Sequence, residues 1–220
     1  MTLILDLHQF FLVQKKAKYF IILSFYIIGI SYVIQFSFYN ESVFYNTYAE
    51  QLTFERTQKM YESGKQWRWI SYLLMPVFLI SKIAYNSFWI TTGSLLNRVK
   101  GEFIDDYNIC LKAEYIFVAM LLTKFIWLIF FKEVNNLTDL SFIPGSLLNF
   151  YNVAKLPQWL IYPLQTINIW EVLFCIVGTS MYSIQYNVSK AKAAQLFCIP
   201  YLAGLFIWVL VIVFITLQFT

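Results

Sequence analysis

The residues able to do chemistry here are few, and the most unusual are charges inside apolar runs. Glu171 and Asn168 sit in PLQTINIWEVLFCIVG, residues 163–178, where hydrophobic character is building. Lys82 and Lys124 interrupt two other apolar stretches. An unpaired charge near the centre of a membrane-embedded helix costs about 2.5–3.5 kcal/mol on insertion scales. Two arrangements meet that cost. Glu171 and Asn168 could line a polar path for protons or ions, or a lysine from a neighbouring helix could neutralise Glu171 and brace a bundle. The bracing role is preferred, because one acid and one amide make a thin relay. The other polar residues of these runs, Gln35, Asn86 and Gln165, are isolated along the sequence.

Which lysine meets Glu171 depends on depth. Lys82 follows Trp69 by about 13 residues, or ~20 Å of helix. Lys124 lies about seven residues, ~10 Å, inside the end of its apolar segment. If the helix holding Glu171 begins near Trp159, Lys82 is level with it; if it begins near Ile167, Lys124 matches better.

Other chemistries find little support. His8 is the single histidine, so a histidine triad or a histidine-rich metal site is excluded by count. Cys110, Cys175 and Cys198 form no CxxC pair and read as small apolar side chains, so no metal is expected. Glu102, Asp105 and Asp106 read as a solvated acidic loop. There is no GxxxxGK[ST], HExxH or GxSxG motif, so neither a nucleotide nor another cofactor is expected. A net charge of +4 with no basic stripe argues against nucleic acid as partner. NxS/T sequons at Asn40, Asn136 and Asn187 matter only in a secretory pathway.

The elements that must hold these residues follow from composition. Hydrophobic residues make up 60% of the chain and charged residues 13%, against about 45–50% and about 25% in soluble domains. Lipid is therefore the expected solvent. A spanning helix needs ~20 mostly apolar residues, and five segments qualify: about 19–39, 69–96, 111–131, 167–186 and 194–218. The fold class expected is an all-α membrane protein, a five-helix transmembrane bundle forming one domain over 19–218. Pro157 and Pro163 predict a broken or interfacial start to the fourth segment.

Residues 1–18 carry Leu3, Ile4, Leu7, Phe10 and Phe11 at helical spacing and read as an amphipathic interfacial helix, not a cleavable signal. Lysines and arginines flank the spans asymmetrically. Lys15, Lys16 and Lys18, then Arg98 and Lys100, then Lys190 and Lys192 fall on one side. That side is expected to be cytoplasmic, with the N-terminus inside and the C-terminus outside. Of the outer segments, 40–66 reads as an extramembrane helix ending near Gly64. Segment 132–158, with Phe142, Pro144 and nearby Trp159, is apolar enough to lie in the interface or dock a partner. Trp67, Trp69, Trp159 and Tyr162 read as an outer aromatic belt.

The run PLQTINIWEVLFCIVGTSMYSIQYNVSKAKAAQLFCIPYLAGLFIWVL, residues 163–210, resembles the C-terminal half of the Yip1 family. The residues that carry the resemblance are Asn168, Trp170, Glu171, Gly178, Lys190, Ala191 and Gly204. It implies five spans and a cytoplasmic N-terminus. The short N-terminal region and a composition rich in Ile, Asn, Lys, Phe and Tyr suggest a bacterial member, so the trafficking partners of eukaryotic relatives are not carried over.

The function expected is that of a non-enzymatic, multi-pass bacterial inner-membrane protein. It would serve as scaffold or accessory subunit of a larger assembly for trafficking, secretion or transport. Its partners would be the lipid bilayer and other integral membrane proteins, or copies of itself. The alternative is a small permease subunit or channel with its polar path at Glu171 and Asn168. An intramembrane enzyme would need clustered acids, or an activated Ser or Cys, facing a cavity.

Overall fold

A computed structural model describes residues 17–49, 52–99 and 101–219. The expected interfacial helix over 1–18 falls almost wholly outside the described residues. Among these the fold is helical, without strands apart from one isolated bridge between Ser146 and Asn168.

Helix α1 spans Ala17–Phe38 and follows the first apolar run. Asn40 then caps α2, Glu41–Tyr48, by accepting a 2.9 Å bond from the Val43 amide. Helix α3, Phe54–Leu96, has 43 residues, or about 65 Å at 1.5 Å per residue. That is roughly twice the ~30 Å hydrocarbon layer. Its charged first part, with Glu55, Arg56, Lys59, Glu62, Lys65 and Arg68, therefore projects beyond its apolar part.

This corrects the expected helix stop at Gly64. A lone glycine costs a helix only about 1 kcal/mol. The Tyr39 hydroxyl, 3.5 Å from where a Gly64 Cβ would stand, and the Arg68 guanidinium, 4.3 Å over the Tyr39 ring, pack beside the helix there.

Helix α4, Phe103–Ala113, and helix α5, Tyr115–Phe130, meet at Glu114, whose backbone stays helical at φ −58, ψ −20. A bond from the Phe117 amide to the Glu114 carbonyl, 2.9 Å, tightens that junction. Residues 102–106 are thus a helix start and not the solvated loop expected. Asp106 is fully buried and accepts from Thr91 Oγ1 at 2.7 Å and the Tyr186 hydroxyl at 2.9 Å.

Short helix α6, Leu137–Leu140, is closed by a capping box between Asn136 and Asp139. Two 3₁₀ turns, Leu147–Phe150 and Val153–Lys155, lead to α7, Gln158–Thr166. The chain breaks at Ile167 and Asn168, then forms α8, Ile169–Tyr186, and α9, Lys190–Gln218. The broken start anticipated from Pro157 and Pro163 is present. Asn187, at φ 49, makes the left-handed turn between α8 and α9.

Among the described residues, four helices are long and apolar enough to cross a membrane: α1, α3, the α4–α5 rod and α9. The 18-residue α8 is not among them. Glu171, Gln185 and a run of hydroxyl side chains dilute its hydropathy. Large apolar side chains face outward on the long helices, including Phe25, Phe36, Phe78, Phe130 and Phe214, as expected where lipid is the solvent.

The core lies where the second part of α3 meets α4, α8 and α9, around Ile83, Ile90, Ile109, Cys110, Phe174 and Phe197, all fully buried. Small residues allow the close helix approach that drives packing in lipid. A Cβ on Gly93 would stand 2.1 Å from Pro200 Cγ, and one on Gly178 would stand 2.1 Å from Phe197 Cζ.

Candidate functional site

Two acids of the helices, Glu114 and Glu171, are each held by a side chain from another helix. Lys82 lies on α3, one helical turn from buried Leu79 and next to Ile83. Its Nζ donates to Glu114 Oε2 at 2.9 Å and lies 3.7 Å from the centre of the Phe117 ring. Glu114 is 1% exposed at its side chain. Glu171, in the first turn of α8, accepts a short bond from the Tyr201 hydroxyl of α9.

The direct lysine bond expected for Glu171 is therefore replaced. Lys82 is taken by Glu114, and Lys124 donates to the Leu140 carbonyl at 2.6 Å. Among the described residues, the ion pairs within 4.0 Å are Lys82–Glu114 and Lys132–Asp139. Glu114 lies inside the third expected span and is the acid that takes Lys82. The sequence signal was available, since Lys82 and Glu114 both fall within apolar segments.

Asn168 is a helix cap. Its Oδ1 accepts from the amides of Trp170 at 2.9 Å and Glu171 at 3.0 Å. Its Nδ2 donates to the carbonyls of Gln165 at 3.0 Å and Thr166 at 3.1 Å. Both ends of the amide are thus used in holding the α7–α8 break, which fixes where α8 starts and so where Glu171 sits.

Segment 132–158 folds back onto its own chain. The Trp170 indole donates to the Pro144 carbonyl at 2.7 Å, and the Leu147 amide donates to the Ile167 carbonyl at 2.8 Å. Phe142 stacks on Trp127, with ring centres 5.9 Å apart. Asn46 of α2 donates to the Asn135 carbonyl at 3.1 Å, and the Leu137 amide donates to Thr47 Oγ1 at 2.8 Å. Pro144 is buried in this arrangement, whereas Trp159 stays exposed.

Burial pushes the Asp139 carboxyl up, but the Lys132 ammonium at 3.0 Å and the amides of Asn135 and Asn136 outweigh it. They hold the group below the ordinary carboxylate value.

Among the described residues no group of three or more His, Cys, Asp or Glu side chains could hold a metal ion. The arrangement at Glu114 and Glu171 can share protons or brace helices. No family model, characterised protein or solved structure matches this chain.

Proposed function

We propose that the chain is a five-span protein of a bacterial inner membrane, with α8 completing the bundle, that serves as a non-enzymatic scaffold or accessory subunit of a larger membrane assembly. The observation carrying this reading is that Glu114 and Glu171 are tied to groups on other helices. Glu114 is held by Lys82 of α3, and Glu171 by Tyr201 of α9. Such pairing stitches helices together.

The lysine and arginine asymmetry supports a cytoplasmic N-terminus and an outer C-terminus. Assignment to the Yip1 family is part of the proposal and rests on residues 163–210. In that stretch Gly178 and Gly204 fall at tight helix contacts and Asn168 at a cap. Other integral membrane proteins, or further copies of the chain, would dock on the α2–α6 surface and beside Trp159. Affinity purification after mild detergent extraction tests the reading. A companion chain lost when α6 is replaced by a glycine-serine linker is expected, and a lone monomer from several detergents would contradict it.

One observation favours a transport role as second reading. Glu114 Oε1 is buried without a hydrogen-bond partner, so this oxygen is open to a proton. Proton flux in vesicles that Glu171→Gln abolishes, with folded protein unchanged, would favour transport over scaffolding.

A further inference from the structure

A cleft of about 540 Å³ opens between α1, α3, α5 and α6, away from the Glu114–Glu171 cluster. Two cations line it, Arg68 of α3 and Lys124 of α5, and among the described residues no carboxylate does. Lys124 spends one of its three donors on the Leu140 carbonyl. Arg68 stacks on Tyr39, yet its Nη2 is buried without a hydrogen-bond partner. A buried donor on a cationic group left unsatisfied is costly. Arg68 and Lys124 thus converge on one cleft, and Arg68 keeps a buried donor that its described neighbours do not satisfy.

The rest of the lining is amphipathic. Gln35 and Ser71 add polar atoms, while Ile34, Met75 and Leu121 make the wall apolar. Gln35 is itself held by the Tyr72 hydroxyl at 2.9 Å, so that wall is fixed. Trp67 and Trp69 flank Arg68 in sequence and are exposed, as side chains at headgroup level are. Lys124 lies six residues before the last residue of α5, Phe130, or about 9 Å of helix. Arg68 therefore lies beside the aromatic belt, and Lys124 lies about 9 Å inside the end of its helix, from where a long lysine side chain reaches back toward the headgroups. The volume falls within the range of about 300–1,000 Å³ usual for small-molecule sites.

We propose that this cleft binds a phosphate-bearing amphiphile, the phosphodiester headgroup of an anionic membrane lipid, with Arg68 and Lys124 on the phosphate oxygens and the Ile34–Leu121 wall against the upper acyl chain. Arg68 suits this because its planar fork offers paired donors to phosphate. Lys124 supplies a point charge from the opposite wall.

The test uses the full chain purified in a neutral detergent, with short-chain phosphatidylglycerol titrated against phosphatidylcholine, glycerol phosphate and inorganic phosphate. Tryptophan fluorescence and melting temperature are read. Phosphatidylglycerol is expected to saturate and raise the melting temperature, while phosphatidylcholine does neither. Arg68→Gln and Lys124→Met should each weaken binding by about tenfold or more, the usual scale for one charged hydrogen bond. Ser71→Phe, which fills the cleft from an exposed position and keeps both charges, should block binding without loss of folded protein. Arg56→Gln, on α3 but outside the cleft, should bind as the native chain does. Equal binding of both lipids, or native affinity in Ser71→Phe and the Arg68→Gln/Lys124→Met double variant, would overturn the site. Saturation by inorganic phosphate at the same concentration as the lipid would overturn the lipid assignment.

Discussion

Gly93→Ala tests whether α3 and α9 touch as closely as the packing requires. The new Cβ would stand 2.1 Å from Pro200 Cγ and 2.9 Å from Pro200 Cβ, where carbon atoms normally settle at about 3.5–4.0 Å. The proline ring is closed onto its own backbone and cannot rotate away, so one helix must shift. Overpacking of this kind costs about 1–3 kcal/mol.

Alanine also gains about 1 kcal/mol over glycine as a helix former, and that gain must be cancelled. Gly29→Ala supplies the reference, because a Cβ there meets nothing within 4 Å. The difference between the two variants isolates the clash. For a chain of this length about 1 kcal/mol shifts the melting temperature by about 2–4 °C. Gly93→Ala should therefore melt about 2–12 °C below Gly29→Ala. The assay is the fraction of monodisperse protein left after heating in detergent, read by size exclusion. Equal melting of the two variants would show that the α3–α9 contact is looser than described.

Three further outcomes follow from single side chains. Asn168→Ala removes the cap of α8 and should cost about 0.5–2 kcal/mol, seen as a lower melting temperature; native melting would contradict the cap. Trp170→Phe leaves the Pro144 carbonyl unpaired, at a cost of about 1–3 kcal/mol, and should speed limited proteolysis within 144–153; an unchanged cleavage rate would contradict that anchor. Asp139, whose folded-state carboxyl is held below its ordinary value, contributes stability that is complete above about pH 4 and is lost as pH falls further. The native chain should thus lose melting temperature faster than Asp139→Asn on acidification below that point, and parallel curves would refute the sign.

Much of the architecture was legible because apolar runs of spanning length have few alternatives to helix. The break before α8 was visible in Pro157 and Pro163. What escaped depends on contacts between distant segments. Gly64 looked like a stop because nothing local shows Tyr39 and Arg68 packing beside it. Asp106 looked solvated because its acidic neighbours suggested a loop. Yet Asp106, Ile109, Cys110 and Ala113 recur at i, i+3, i+4 and i+7, the spacing of one buried helix face, and all four are fully buried. Glu114 sits at the edge of an apolar segment, and only the contact of α3 with the α4–α5 junction shows that Lys82 pairs with it and not with Glu171, for which the sequence leaves Lys82 and Lys124 both open. Asn168 reads in the sequence as part of a polar path, yet its position before an apolar helix already fits a cap.

The most direct measurement on the bracing of buried charge is a double-mutant cycle on Lys82→Met and Glu114→Gln, with stability read from unfolding in mixed detergent. The 2.9 Å ion pair predicts a coupling of about 0.5–3 kcal/mol, the range for residues in one salt-bridge network, so that the double variant is less destabilised than the sum of the two single ones. Strict additivity would mean that the two side chains do not sense each other in the folded protein, and the helices would have to be held together by something else.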